Sequence, residues 1–159
     1  MDPNYMFEKA LDLAKSAHRG QTSKDDTPFI IHPLTVMADP SLTTLELKIV
    51  ALLHDVVEDT FYSVAYIRDV YGDVIADAID AISHKDNEPR IDYWHRVNEN
   101  TLAYLVKRAD IKHNVSRLNL VPNLKDRQRM AVKYKEAMKF FCISLDPEAQ
   151  TKLDLLVGE

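Results

Sequence analysis

Apolar residues recur along the chain at three- and four-residue steps, the period of a helix with one buried face. Met6, Ala10, Leu13, Ala14 and Ala17 form the first such stripe, after an Asp-Pro start in which proline suits a first helical turn. "RGQTSKDDTP" breaks the pattern and reads as a loop. A short helix around "FIIHPLTVMA" follows, then a stop at "DPS", then a helix opened by Thr43 or Thr44 that runs through "LELKIVALLHDVVED". Thr60 and Ser63 suit the cap of "VAYIRDVYG", which stops near Gly72. "DVIADAIDAIS" carries Val74, Ile75, Ala78, Ile79 and Ile82 on one side, and "HKDNEPR" is polar enough to read as an exposed loop. Three further helices, "TLAYLVKRADIKHNVSRL", "DRQRMAVKYKEAMKFFCISL" and "PEAQTKLDLLV", complete the pattern. The fold class is all-α, and with no repeat, low-complexity tract or linker, residues 1–159 read as one compact multi-helix domain.

Composition narrows this reading. Three glycines are too few for the turns of a sheet-rich fold. A hydrophobic content of 46% suffices for a core, and a net charge of −5 argues against a nucleic-acid-binding surface. Cys142 is the sole cysteine, so there is no intramolecular disulfide and no cysteine-based zinc site; in "MKFFCISL" it reads as core packing. The N-terminus lacks the basic-then-apolar layout of a signal peptide, and no apolar run approaches the roughly 20 residues of a membrane span. A cytoplasmic protein is the expectation.

The chemistry lies where polar groups interrupt apolar helices. His54 and Asp55 sit in "ALLHDVVEDT", where unpaired polar groups are disfavoured, and Glu58 and Asp59 follow one turn later on the same helical face. Taken alone, this is equally a buried histidine paired with an acid. Two more stretches add to it: His32 in "FIIHPL", and Asp110 with Asn114 one turn later in "LVKRADIKHN". Three helices thus each bring a His or Asp to an apolar setting. His32, His54, Asp55 and Asp110 make a mixed nitrogen and oxygen shell that suits manganese or iron(II), and zinc less specifically. Glu58 and Asp59 remain over, placed as a water-activating or proton-shuttling pair. His18 reads as a helix-end histidine bonding a carbonyl, and His84, His95 and His113 as loop or exposed helix positions. Tyr93 and Trp94 read as core packing, and Lys85, Arg90 and Arg96 as solvated charge.

The order of these landmarks, "AHRGQTSKDDTPFIIHP", "ALLHDVVEDT", "YGDVIADAIDAIS" and "VKRADIKHN", resembles the HD superfamily of metal-dependent phosphohydrolases. It is closer still to the hydrolase domain of Rel/SpoT proteins and to the small alarmone hydrolases, from about Ala10 to Tyr134. The resemblance implies one manganese ion on His32, His54, Asp55 and Asp110, with Glu58 and Asp59 as catalytic acids. It also implies a nucleotide substrate, guanosine carrying a 3′-diphosphate, from which pyrophosphate is released. Lys24, Asn114 and Tyr134 fall on substrate contacts of the family. Three positions depart from it: Ser23, Ile111 and Met130 stand where basic residues are usual, although Arg127 and Arg129 are near the last. Hydrolysis of another nucleotide, NADPH or a nucleoside monophosphate, is therefore the alternative, with a non-catalytic nucleotide-binding module as a third reading. The chain ends soon after the match, which leads us to expect a hydrolase without a synthetase domain. The sequence is silent on oligomeric state.

Overall fold

The computed structural model describes residues 2–158 and is all-helical. In chain order the helices are α1 (Pro3–Ala17), α2 (Ile31–Met37), α3 (Leu45–Leu53), α4 (Val56–Asp59), α5 (Val64–Tyr71), α6 (Asp73–Ile82), α7 (Arg90–Glu99), α8 (Thr101–Ser116), α9 (Leu124–Phe140) and α10 (Pro147–Val157). A 3₁₀ turn, Leu118–Leu120, joins α8 to α9.

Short polar side chains start most of these helices by accepting an otherwise orphaned backbone N–H. Asp2 accepts from Asn4, Thr44 from Leu47, Ser63 from Tyr66, Asn100 from Ala103, Asn123 from Asp126 and Asp146 from Ala149. Gly72 ends α5 at φ +87°, a conformation that costs other residues a steric penalty, and lets α6 begin at once in a new direction.

The hub of the fold is α3. Leu47, Ile49, Val50, Ala51, Leu52 and Leu53 are all buried, so beyond its first turn this helix is almost wholly enclosed and packs against α1, α2, α6 and α8. Leu52 and Leu53 are both fully buried, and each contributes roughly 1.5–3 kcal/mol relative to exposure. Their burial fixes the end of α3, and so the place where His54 and Asp55 emerge. Around the hub, α2 and α8 pack on α3 and on each other, which brings the three polar interruptions of the sequence together.

Several sequence expectations need correction. The helix through "LELKIVALLHDVVED" is not continuous. His54 and Asp55 form a turn between α3 and α4, with Asp55 at φ −104° and ψ −2°. That backbone region is sparsely populated and is frequented by active-site residues. Arg90, the last residue of the expected loop, instead opens α7, a helix over residues that the pattern assigned to no element, and it buries Tyr93, Trp94 and Val97. Val74 points to solvent at 64% exposure, because α6 turns its Ile75–Ile79–Ile82 edge inward. Helix α9 stops at Phe140, five residues short of the apolar pattern. The chain leaves it through Cys142, whose φ is +54° and whose side chain is exposed rather than in the core. The loop "RGQTSKDDTP" is closed by a bridge between Thr22 and Pro28.

Candidate metal centre and active-site cleft

Three helix ends and one helix middle supply the polar cluster. His32 opens α2, His54 and Asp55 occupy the turn after α3, and Asp110 lies within α8. His32 Nε2 is 2.8 Å from Asp110 Oδ1 and 3.2 Å from His54 Nε2. His54 Nε2 lies 3.4 Å from Asp110 Oδ1 and 3.0 Å from Asp55 Oδ2, which is 3.6 Å from His32 Nε2. His32, His54 and Asp110 are buried, whereas Asp55 is partly open to the cleft.

The outer atoms of the cluster are held from behind. His54 Nδ1–H donates to the Ala51 carbonyl at 2.6 Å, so that in the neutral form, which a metal would require, the lone pair is on Nε2 and faces inward. His32 Nδ1 lies 2.7 Å from His113 Nδ1. Burial first, then the neighbouring His32 and Arg117, push the His113 imidazole down to about 4, so at neutral pH it is uncharged and can accept. Asp110 is fixed on both oxygens: Asn114 Nδ2 donates to Oδ1 at 3.0 Å, and Lys107 Nζ donates to Oδ2 at 3.0 Å.

The electrostatics favour a cation here. Burial opposes charge on Asp110, but Lys107 and the bonds from His32 and His54 outweigh it and hold the carboxyl well below its usual range. Burial also opposes charge on His54, yet Asp55 and Asp110 hold its proton well above the usual range. A shared proton thus offsets two carboxylates crowded into one small space. A divalent ion does the same more completely and removes the repulsion between facing nitrogens. Bonds of about 2.1 Å to one ion would separate neighbouring ligand atoms by about 3.0–3.4 Å. The separations found here, 2.8 to 3.6 Å, bracket that range, so the donor set fits a first-row divalent ion.

Glu58 and Asp59 follow on α4, at the edge of the cluster. Glu58 Oε1 accepts the His84 backbone N–H at 2.6 Å. Burial, with Asp55 next in importance among the raising influences, lifts the Glu58 carboxyl above its ordinary value. Asp59 is pushed up to about 7 by burial, then by the charges of Asp55 and Glu58. A carboxyl that titrates near neutrality can both take and return a proton.

These groups open into a cleft of about 510 Å³. Lys24, His32, Asp55, Glu58, Asp59, Asp110, Asn114 and Tyr134 all line it, and His54 lies beneath its floor at 2% exposure. Lys24 comes from the bridged loop, with Nζ 3.7 Å from Met130 Sδ across the cleft mouth. That loop is pinned by Arg117, which donates to Asp25 and to Thr27 Oγ1. The pairing, after the Thr27 hydroxyl bond, helps hold Asp25 down at about 2. Ile111, at a position where the family has a basic residue, is buried at 1% exposure. Arg127 donates to the Val121 carbonyl and Arg129 pairs with Asp126; neither lines the cleft.

Several cleft residues escaped the sequence reading. His113 is half-buried against His32 instead of exposed, which its i+3 spacing from Asp110 could have indicated. Lys107, one turn before Asp110 on the same face, carries the same signal. Arg90 and Lys133 also line the cleft, and Arg90 lies 5.7 Å over the Trp94 ring. Trp94 does pack against Phe140 and Phe141, and Tyr93 is buried with its hydroxyl donating to the Ile82 carbonyl. His18 caps α1 and meets the Gln21 side-chain oxygen at 2.7 Å, leaving its buried Nε2 without a partner among the described residues.

No protein-family model matches the chain. The fold matches a solved structure reported as a metazoan ortholog of SpoT that hydrolyses ppGpp, with a TM-score of 0.76 and 24% identity, over 98% of this chain and 96% of that one. A guanosine-3′,5′-bis(diphosphate) 3′-pyrophosphohydrolase of Haemophilus influenzae is 30% identical over 144 residues, which is 82% of this chain and 20% of that protein. A GTP pyrophosphokinase of Streptomyces coelicolor is 28% identical over 150 residues, 85% of this chain and 17% of that one. The bifunctional (p)ppGpp synthase/hydrolase SpoT of Escherichia coli K12 is 31% identical over 126 residues, 70% of this chain and 18% of that one. The chain therefore spans about a fifth of the length of the curated relatives it matches. Among the described residues, no helix is long and apolar enough to cross a membrane.

Proposed function

On the premise that this chain is a Rel/SpoT homologue with an HD-type fold, we propose that it is a metal-dependent phosphohydrolase. Its substrate would be guanosine 3′,5′-bis(diphosphate) or the corresponding 5′-triphosphate, from which it releases pyrophosphate at the 3′ position. One observation carries the reading. The buried His32–His54–Asp110 cluster, with Asp55 at its edge, shares a cleft with two further acids, Glu58 and Asp59.

In this proposal His32, His54, Asp55 and Asp110 hold the ion, for which manganese is our choice and iron(II) the nearest alternative. Bound there, such an ion would supply Lewis acidity toward water and the phosphoryl group. Asp59, whose carboxyl is made more basic than usual by burial, takes the proton as the water oxygen bonds to phosphorus. The bond from phosphorus to the 3′-oxygen breaks, and Asp59 or Glu58 returns a proton to that oxygen. Lys24, Lys107, Lys133 and Arg90 face the cleft and offset the charge on the phosphates. Asn114 and Tyr134, also on its wall, are assigned to the nucleoside.

A substrate panel with added manganese tests this. Release of pyrophosphate from the guanosine 3′-diphosphates supports it. Turnover confined to NADPH or a nucleoside monophosphate would move the activity to another nucleotide, a reading motivated by Ile111 and Met130. No turnover of any nucleotide that nevertheless binds would make this a binding module.

A further inference from the structure

We propose that Arg96, which lies outside the cleft, is a positioning residue for Glu58 and acts on it through a single peptide group. The inference rests on the role of Glu58 given above. The peptide that joins Ser83 to His84 is bonded at both ends. Its carbonyl, on Ser83, accepts from Arg96 Nη2 at 3.0 Å, and its N–H, on His84, donates to Glu58 Oε1 at 2.6 Å. A peptide is planar and stiff, so fixing its oxygen fixes the direction of its N–H. The guanidinium charge on the carbonyl also polarises the N–H and strengthens it as a donor.

Arg96 is held where this requires. Its Nε and Nη2 donate to the two oxygens of Glu88 at 2.8 and 2.6 Å. Nη1 donates to the carbonyls of Asp80 at 2.8 Å and Ala81 at 3.3 Å, at the end of α6. The planar fork thus ties α7 to the last turn of α6 and to the 83–89 loop, which a lysine could not do with one nitrogen. The loop itself has little freedom. His84 Nε2 bonds the Glu88 carbonyl at 2.8 Å, its ring lies parallel to Tyr93 at 4.6 Å, and Tyr93 is anchored to Ile82. One oxygen of Glu58 is committed to His84, and the residue lines the cleft. The charged and titratable groups that also act on Glu58 are Asp55 and Asp59 from its own turn and helix, Lys107 from α8, Lys133 from α9 and the His84 ring from the 83–89 loop. Of these, only His84 lies on the loop that Arg96 holds, so its ring and its amide shift together when Arg96 is changed.

Arg96→Met and Arg96→Lys, compared with wild type, test this in the manganese-loaded protein. Arg96→Met should keep metal content and KM and lower kcat roughly 10–100-fold, the scale of a misplaced catalytic group. The pH limb assigned to Glu58 should move upward, since its carboxylate loses a donor. Arg96→Lys should recover part of kcat. Hydrogen exchange supplies a readout apart from activity, with the His84 amide protected in wild type and exposed in Arg96→Met. Arg108→Met removes another part-buried arginine bonded to backbone carbonyls, those of Phe141 and Cys142, and controls for the loss of such an anchor away from Glu58. Wild-type kcat and pH profile in Arg96→Met overturn the proposal, as does an equal loss in Arg108→Met. Wild-type turnover in Glu58→Gln would instead overturn the catalytic reading of Glu58, and the exchange of the His84 amide would then judge the Arg96 contact by itself.

Discussion

His32 and His113 share one hydrogen bond in the plane of their rings: the two Nδ1 atoms are 2.7 Å apart, and the rings are tilted by only 15° at a centroid distance of 5.0 Å. That separation is too wide for face-to-face stacking, so the contact is edge to edge. For His32 Nε2 to present a lone pair to an ion, its one proton must sit on Nδ1, and His113 is the group that accepts it. His113→Ala should therefore weaken metal binding about 10–100-fold while leaving the ligand set complete. Titration of the apo protein with manganese, followed by calorimetry or electron paramagnetic resonance, measures this. An unchanged affinity would make His113 a packing residue.

Asp55 and Glu58 are three residues apart, yet they have different tasks in this account. Asp55→Asn should lose metal and activity together, because a charged ligand is removed. Glu58→Gln keeps the ligand shell and nearly the same volume, so metal should stay while turnover falls roughly 10²–10⁴-fold. Metal analysis and single-turnover rates on the two variants separate the cases. A Glu58→Gln protein without metal would falsify this division of labour.

How much of this was legible in the sequence depended on which rule each residue obeys. The helices with capped starts and clean apolar stripes, such as α1, α5 and α10, lie close to their expected bounds. Helix α7 did not announce itself, because Pro89 starts it without a side-chain cap and its buried Tyr93, Trp94 and Val97 are flanked by charge on both sides. The break at His54 was invisible for the opposite reason. Apolar residues continue through it, and periodicity cannot register a turn whose purpose is to aim two side chains. Cys142 was placed in the core by its neighbours Phe140 and Phe141, although its backbone turns it outward. The site residues from α2, α3 and α8 were recognisable as polar groups in apolar settings. Lys107 and His113 were not, because a charge on a helix is ordinary until its partner is known.

Asp59 gives a pH signature in the metal-free protein. Its carboxyl is raised from 3.8 to about 7 in the folded state, so the native protein binds this proton more tightly than the unfolded chain does. Stability from this group is then full below about pH 4 and is lost as pH rises through about 7. Asp59→Asn escapes that loss. In chelator it should melt a few degrees higher than wild type at pH 8 and no higher at pH 4, the gain being limited by solvent at the open cleft. An equal difference at both values of pH would show that Asp59 carries no such perturbation.

The central claim is that the His32–His54–Asp55–Asp110 centre cleaves a 3′-diphosphate from guanosine. Phosphorus NMR of guanosine 3′,5′-bis(diphosphate) incubated with the protein tests it in one sample, with manganese and then with excess chelator. The account predicts inorganic pyrophosphate and guanosine 5′-diphosphate as the products with manganese, and no change after chelation. Orthophosphate as the product, or the same turnover in chelator, would contradict it.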